Sequence, residues 1–206
     1  ELVPCDGFVS ECTFGLPVYR WKPEEDIHNQ INQWWEKNKI TGHGSLIFAY
    51  SLGKAQRVLA GLDSSIGPIY AHSAVHSFLE HYHNAGIVLP EVKKVDKEKD
   101  FSGAMIIAPP AVEDSSWTKK FKKTKRGFAS GWMAIRGPRR RKNIDRGFIL
   151  SDHADWPGLI DVITSTGAEM VKLTHGNGDA LSRFLGEKGI NASVLNESSV
   201  RQEERD

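Results

Sequence analysis

Along most of this chain, short apolar runs alternate with stretches patterned as helix, and that alternation admits few folds. Residues 45–50, 69–71, 104–108, 147–150, 170–173 and 192–195 read as strands, and 6–10 read as one more that delivers Glu11 at its end. Pro23-Glu24-Glu25-Asp26 opens a helix, with proline in the first turn and three acids suited to its N-terminus. Ile27, Ile31, Trp34 and Trp35 then give that helix one apolar face. Further helices are expected at 54–59, through Val75, Phe78, Leu79 and Tyr82, at 157–163 and at 179–187. Strands joined by helical crossovers imply an α/β fold, a mostly parallel sheet with helices on both faces.

The charge is distributed unevenly. The whole chain of 206 residues carries a net charge of +1, yet residues 117–146 hold twelve Lys and Arg against the single acid Asp145. That block is therefore +11 and the remainder −10. A block this basic in an otherwise acidic chain is an electrostatic footprint for a polyanion, most simply nucleic acid. The competing reading is a solvated helix face followed by a basic loop. Cys5 and Cys12 are too few and too close to the start of the chain to staple the fold and suit a reducing cytosol. No apolar run is long enough to span a membrane, and the first six residues form no secretory signal. A cytoplasmic protein is expected.

In open parallel sheets the functional crevice lies beyond the carboxyl ends of the strands. Glu11, His153 and His175 fall at such positions. Because 147–150 and 170–173 are consecutive strands joined by one helix, they are expected to be neighbours that turn His153 and His175 toward one crevice. Either histidine alone could instead be a turn residue bonded to a backbone carbonyl. His72, His76 and Glu80 share a helical face, but Val75 and Leu79 already define that segment's buried stripe, so a packing role is preferred over a metal site. Trp34 and Trp35 could stack on bases, with at least one expected in the core.

Four motifs in order carry a family resemblance: Ser10-Glu11-Cys12-Thr13-Phe14-Gly15-Leu16-Pro17, Gly53-Lys54-Ala55-Gln56, Ser151-Asp152-His153-Ala154-Asp155 and Thr174-His175-Gly176. They resemble the landmarks of the metallo-β-lactamase/β-CASP nucleases, nearest to the bacterial DNA-ligase-associated exonucleases, to which 13–21, Gly131-Trp132-Met133 and Arg139-Arg140-Arg141 are also similar. The resemblance implies a metal-dependent phosphodiesterase, most simply a DNA exonuclease of repair, working with two divalent metal ions, zinc or manganese. It implies that Glu11 holds His153, that His153 contacts the scissile phosphate and protonates the leaving oxygen, and that His175 ligates one metal. It implies that Lys54, Arg57, Arg139, Arg140 and Arg141 contact the nucleic-acid backbone, and that DNA ligase and helicase are partners.

The family's principal metal motif, His-x-His-x-Asp-His, is absent from these residues. The resemblance therefore implies the C-terminal part of such an enzyme. Residues 1–21 would belong to the metallo-β-lactamase lobe, 22–146 to the β-CASP lobe, 147–196 to the returning metallo-β-lactamase lobe, and 197–206 to a polar tail. The alternatives are a non-catalytic module that binds nucleic acid or a partner protein, a nuclease that processes RNA 3′ ends, and a metallo-hydrolase of small esters that would leave the basic block unexplained.

Overall fold

The structure, a computed structural model, describes residues 2–96, 100–135, 144–176 and 178–195. The chain divides into two compact units, a larger one over Trp21–Asp152 and a smaller one formed by residues up to Arg20 together with those from His153 onward.

The larger unit is built on a six-stranded parallel sheet. Its strands are β2 (Gly44–Phe48), β3 (Ile69–Ala71), β4 (Lys93–Lys94), β5 (Met105–Ala108), β6 (Thr124–Ala129) and β7 (Arg146–Phe148), in the order β4-β3-β5-β2-β6-β7. Alternate residues serve opposite faces, as strand geometry requires. Ile47, Ile69, Ala71, Met105 and Ile107 enter one core with α1 (Glu24–Ile40), α2 (Lys54–Ala60), α3 (Ser73–His76) and α4 (Leu79–Asn84). Leu46, Phe48, Tyr70, Ile106 and Ala108 enter a second core on the other face.

That second face departs from the expected double helical cover. Among the described residues it is closed by Val95, Phe101, Phe121, Met133 and partly buried Trp117, which lie on loops and 3₁₀ turns. Pro109-Pro110 blocks continuation after β5, and the segment that follows is too short and too rich in lysine to present a helical apolar stripe. The aromatic cluster Phe101, Phe121 and Trp117, with ring centroids 4.6–4.8 Å apart in sequence around Phe121, does the covering instead.

Trp35 is fully buried on α1 and donates its indole N–H to the Gly103 carbonyl at 3.0 Å, while Trp34 packs edge-on against Phe148. Both are structural.

The smaller unit holds a three-stranded parallel sheet, β1 (Gly7–Cys12), β8 (Met170–Gly176) and β9 (Asn191–Val194), in the order β1-β8-β9. Helices α5 (Trp156–Thr166) and α6 (Gly178–Glu187) supply Trp156, Leu159, Ile163, Leu181 and Leu185 to a core that also takes Val171 and Leu173. Asp155 caps α5 by accepting the Gly158 N–H at 3.0 Å, with Pro157 in the first turn. Val9 and Met170 are exposed. One expectation is overturned here. The strand near 147–150 does not lie beside 170–173: β7 pairs with β6 in the six-stranded sheet, and β8 pairs with β1 and β9. Sequence order suggested a direct crossover, but the chain leaves one sheet and enters the other between them.

Candidate functional site

The smaller unit draws Glu11 and His175 together through strand register. Glu11 lies opposite Thr174 in the β1–β8 ladder, and a bulge then sets Cys12 opposite Gly176. The two strand ends approach so closely that a Cβ on Gly176 would sit 2.2 Å from the Cys12 carbonyl oxygen, at a φ of +155°. Only glycine fits there. His175, the residue before it, has a φ of +51°, a left-handed conformation uncommon outside glycine. Its carbonyl accepts the Thr13 hydroxyl at 3.0 Å, and its Nδ1 lies 3.2 Å from the Thr174 hydroxyl. Cys12 is buried beneath this turn with its thiol toward the Thr174 carbonyl; burial first, and the neighbouring Glu11 charge second, push that thiol's pKa up. It is packed away from the thiolate form that reacts.

Glu11 is held and aimed by its own loop. Its Oε2 accepts the Thr13 backbone N–H at 2.8 Å and lies 3.3 Å from His153 Nδ1. His153 also meets the edge of Phe14, which stacks edge-on with buried Tyr19 at 4.8 Å. The Tyr19 carbonyl in turn accepts the first N–H of α5 at 3.0 Å. The 13–19 segment is thus the wall that seats the histidine beside the carboxylate. The imidazole is about half exposed, 47% against 32% for the Glu11 side chain, so the pair opens to solvent. A carboxylate on Nδ1 fixes the proton on that nitrogen and leaves Nε2 available for chemistry.

The other cations expected to grip a substrate sit in the larger unit, at the carboxyl ends of its strands, and there they are engaged by carboxylates. Lys54 is buried, with Nζ 3.3 Å from Asp152 and lying over the Tyr50 ring. Arg57 pairs through Nη2 with Glu24 at 2.6 Å and through Nη1 with Asp152 at 3.2 Å, and it also donates to the Ser151 carbonyl. The Arg57 hydrogen bonds hold the Glu24 carboxyl below its ordinary pKa. In the sequence Glu24 is visible only as a helix-opening acid, and Asp152 only as part of a motif. Nothing in the spacing of positions 24, 57 and 152 signals that they meet. Arg139, Arg140 and Arg141 lie outside the described residues.

Among the described residues no group of three or more His, Cys, Asp or Glu could hold a metal ion. The described residues therefore do not fit a metal centre of their own, least of all a two-metal one. His72 has a packing role: its Nδ1 accepts the Ala74 N–H at 3.0 Å, capping α3, and its ring meets Trp117 edge-on.

No family model matches the chain. A protein from Opitutus terrae named as a probable DNA ligase is 28% identical over 191 residues, covering 93% of this chain but 19% of that protein. The solved structure of a protein of unknown function from Enterococcus faecalis V583 has a TM-score of 0.59 at 12% identity, over 95% of this chain and 51% of the other. The chain thus spans about a fifth of the curated relative it matches and about half of the solved one. The structural likeness is one of fold, and both units are mixed α/β with parallel sheets. Among the described residues no helix is long and apolar enough to cross a membrane.

Proposed function

We propose that this chain is a module of a nucleic-acid-processing protein and supplies the proton-transfer arm of phosphodiester hydrolysis. The observation that carries the reading is the Glu11–His153 pair, 3.3 Å apart, with Glu11 one residue out of register with His175 at the adjacent ends of β1 and β8. With Nδ1–H donating to Glu11, the doubly protonated His153 ring gives its Nε2 proton to the oxygen that leaves phosphorus, while a water molecule, losing a proton to solvent, forms the new bond to phosphorus. Glu11 stabilises the imidazolium before transfer and keeps the ring aligned after it. The metal ions that the family resemblance implies would have to draw their ligands from elsewhere in a longer protein, because the donors described here do not assemble one. No step is assigned to them.

Nucleic acid as substrate is supported by the basic block and by the name of the Opitutus relative, most of whose length lies outside the matched part. The finer reading is a DNA exonuclease acting beside a ligase.

The test uses the full-length protein that contains this chain, with end-labelled single-stranded DNA or RNA and added zinc or manganese. His153→Ala should lower turnover about 10²–10⁴-fold, the ordinary contribution of a positioned acid. Glu11→Gln should lower it less, with a changed pH profile. Undiminished cleavage by His153→Ala refutes the assigned role, and binding without cleavage by the wild type refutes hydrolysis in favour of a binding module.

A further inference from the structure

In the larger unit every strand pairing is parallel, so all amino ends share one rim and all carboxyl ends the other. Lys54, Arg57 and Asp152 follow strands and lie at the carboxyl rim. At the amino rim His43 precedes β2, Asp100 and Ser102 precede β5, residues 119–123 precede β6, and Asp145 precedes β7. β2 spans five residues, so the two rims stand on the order of 15 Å apart.

This amino rim carries five open cations within eight residues, Lys119, Lys122, Lys123, Lys125 and Arg126. They line two adjoining open hollows of about 390 and 470 Å³. Among the described residues the acids lining these hollows are Asp145 and Asp100, and both are engaged. Asp145 lies 3.5 Å from Lys125 and accepts the Arg126 backbone N–H, and Asp100 is bonded to Ser102. A half-exposed pair such as Lys125–Asp145 neutralises little of the local field.

The lysines also stand on a fixed base. Thr118 and Phe121 are buried, three residues apart, and turn Lys119, Lys122 and Lys123 outward, whereas Lys120 lays its ammonium over the Trp117 and Phe121 rings, within reach of the Asp96 charge. The Thr118 hydroxyl donates to the Ser115 carbonyl, the Thr124 hydroxyl to that of Phe121, and the Gly44 N–H to that of Lys123. Phe121 is wedged between Phe101 and Trp117. Because Phe101 and Phe121 are buried, the described residues of the rim offer no apolar side chain to insert into a lipid surface.

We propose that this amino rim is a second, non-catalytic anchor for the phosphate backbone of duplex nucleic acid, separate from the carboxyl rim. Like charges crowded on a rigid turn repel one another, and a polyanion relieves that repulsion while releasing its own condensed counterions. A backbone gripped here is held without base readout, so the rim acts on any sequence. It deepens the nucleic-acid reading above but needs none of the chemistry at His153.

The test is fluorescence anisotropy of the chain with a short labelled duplex between about 50 and 200 mM salt, the probe's length being checked on a denaturing gel. Combined Lys119→Gln, Lys122→Gln and Lys123→Gln should weaken binding roughly tenfold or more at low salt and reduce the log–log salt slope by about 2–3, near 0.9 per lost phosphate contact. The matching arginine variant should restore both. Lys93→Gln with Lys94→Gln, on exposed β4, should leave the slope unchanged. The proposal is overturned by an unchanged slope in the rim variant, by an equal loss in the β4 variant, or by tighter binding of anionic phospholipid vesicles than of the duplex. None of these outcomes bears on cleavage, which the His153 variants read separately.

Discussion

Substituting Gly176 by alanine probes the contact on which the candidate site depends. The added methyl would meet three backbone atoms, the Cys12 oxygen at 2.2 Å, the Cys12 carbon at 2.5 Å and the Thr13 nitrogen at 2.8 Å. No rotamer change can relieve a clash with backbone. Ordinary contact begins near 3.4 Å, so the ends of β1 and β8 must part by about 1.2 Å, which also breaks the 3.0 Å bond from the Thr13 hydroxyl to the His175 carbonyl. The φ of +155° adds about 1–3 kcal/mol for a non-glycine residue, and forced displacement adds about 1–3 kcal/mol more. With about 1 kcal/mol for the lost hydrogen bond, the variant should lose about 3–7 kcal/mol. Urea unfolding, combined with hydrogen exchange at the Val171 and Leu173 amides, confines the measurement to the smaller unit. Gly186→Ala is the control: its methyl meets nothing within 4 Å on α6, and the better helix former should add up to about 1 kcal/mol. If Gly176→Ala is as stable as Gly186→Ala, the close strand approach is not real and the placement of Glu11 beside His175 falls with it.

Three further outcomes are expected. Trp35→Phe removes the buried donor to the Gly103 carbonyl and leaves a void, so the urea midpoint of the larger unit should fall by the equivalent of about 2–4 kcal/mol; a smaller loss than for a surface Trp132→Phe control would contradict the assigned packing. His72 has a pKa lowered first by burial and then by Lys120, so its contribution to stability is complete above the unfolded value of 6.5 and is lost as pH falls below it toward the folded pKa. His72→Asn, which keeps an acceptor for the Ala74 N–H, should flatten that acid-side decline in midpoint-versus-pH curves. Glu24 has the carboxylate version of the same linkage: its folded pKa is depressed below 4.5, so its stabilisation is present above 4.5 and is lost as pH falls through the folded value. Because the Glu24–Arg57 pair is more than a third exposed, Glu24→Gln should cost no more than about 1 kcal/mol at neutral pH, and a larger loss in thermal melts would show the pair to be far better shielded from solvent.

Much of the architecture was legible in local pattern. The apolar runs at 45–50 and 104–108 became β2 and β5, the acid-opened stripe of Ile27, Ile31 and Trp35 became the core face of α1, and Pro157 marked the start of α5. Residues 124–129 were hidden, because a strand beginning Thr-Lys-Arg has the composition of a loop until its neighbours bury Gly127, Phe128 and Ala129. The pairing of Glu11 with His153 was reached from family resemblance, since two residues so far apart in the chain leave no trace of contact in their spacing.

What the sequence alone determined is what acts over a few residues: which segments are strand or helix, where each starts, and that one stretch concentrates positive charge. Only the tertiary structure decided which strands became neighbours, and so that β1 and β8, not β7 and β8, bring the site together. It also decided which cations are spent on carboxylates, as Lys54 and Arg57 are, and which stand open on the amino rim. The physical reason is that periodicity and capping are local free energies, whereas strand partnership and ion pairing depend on distances that exist only after the chain has closed on itself.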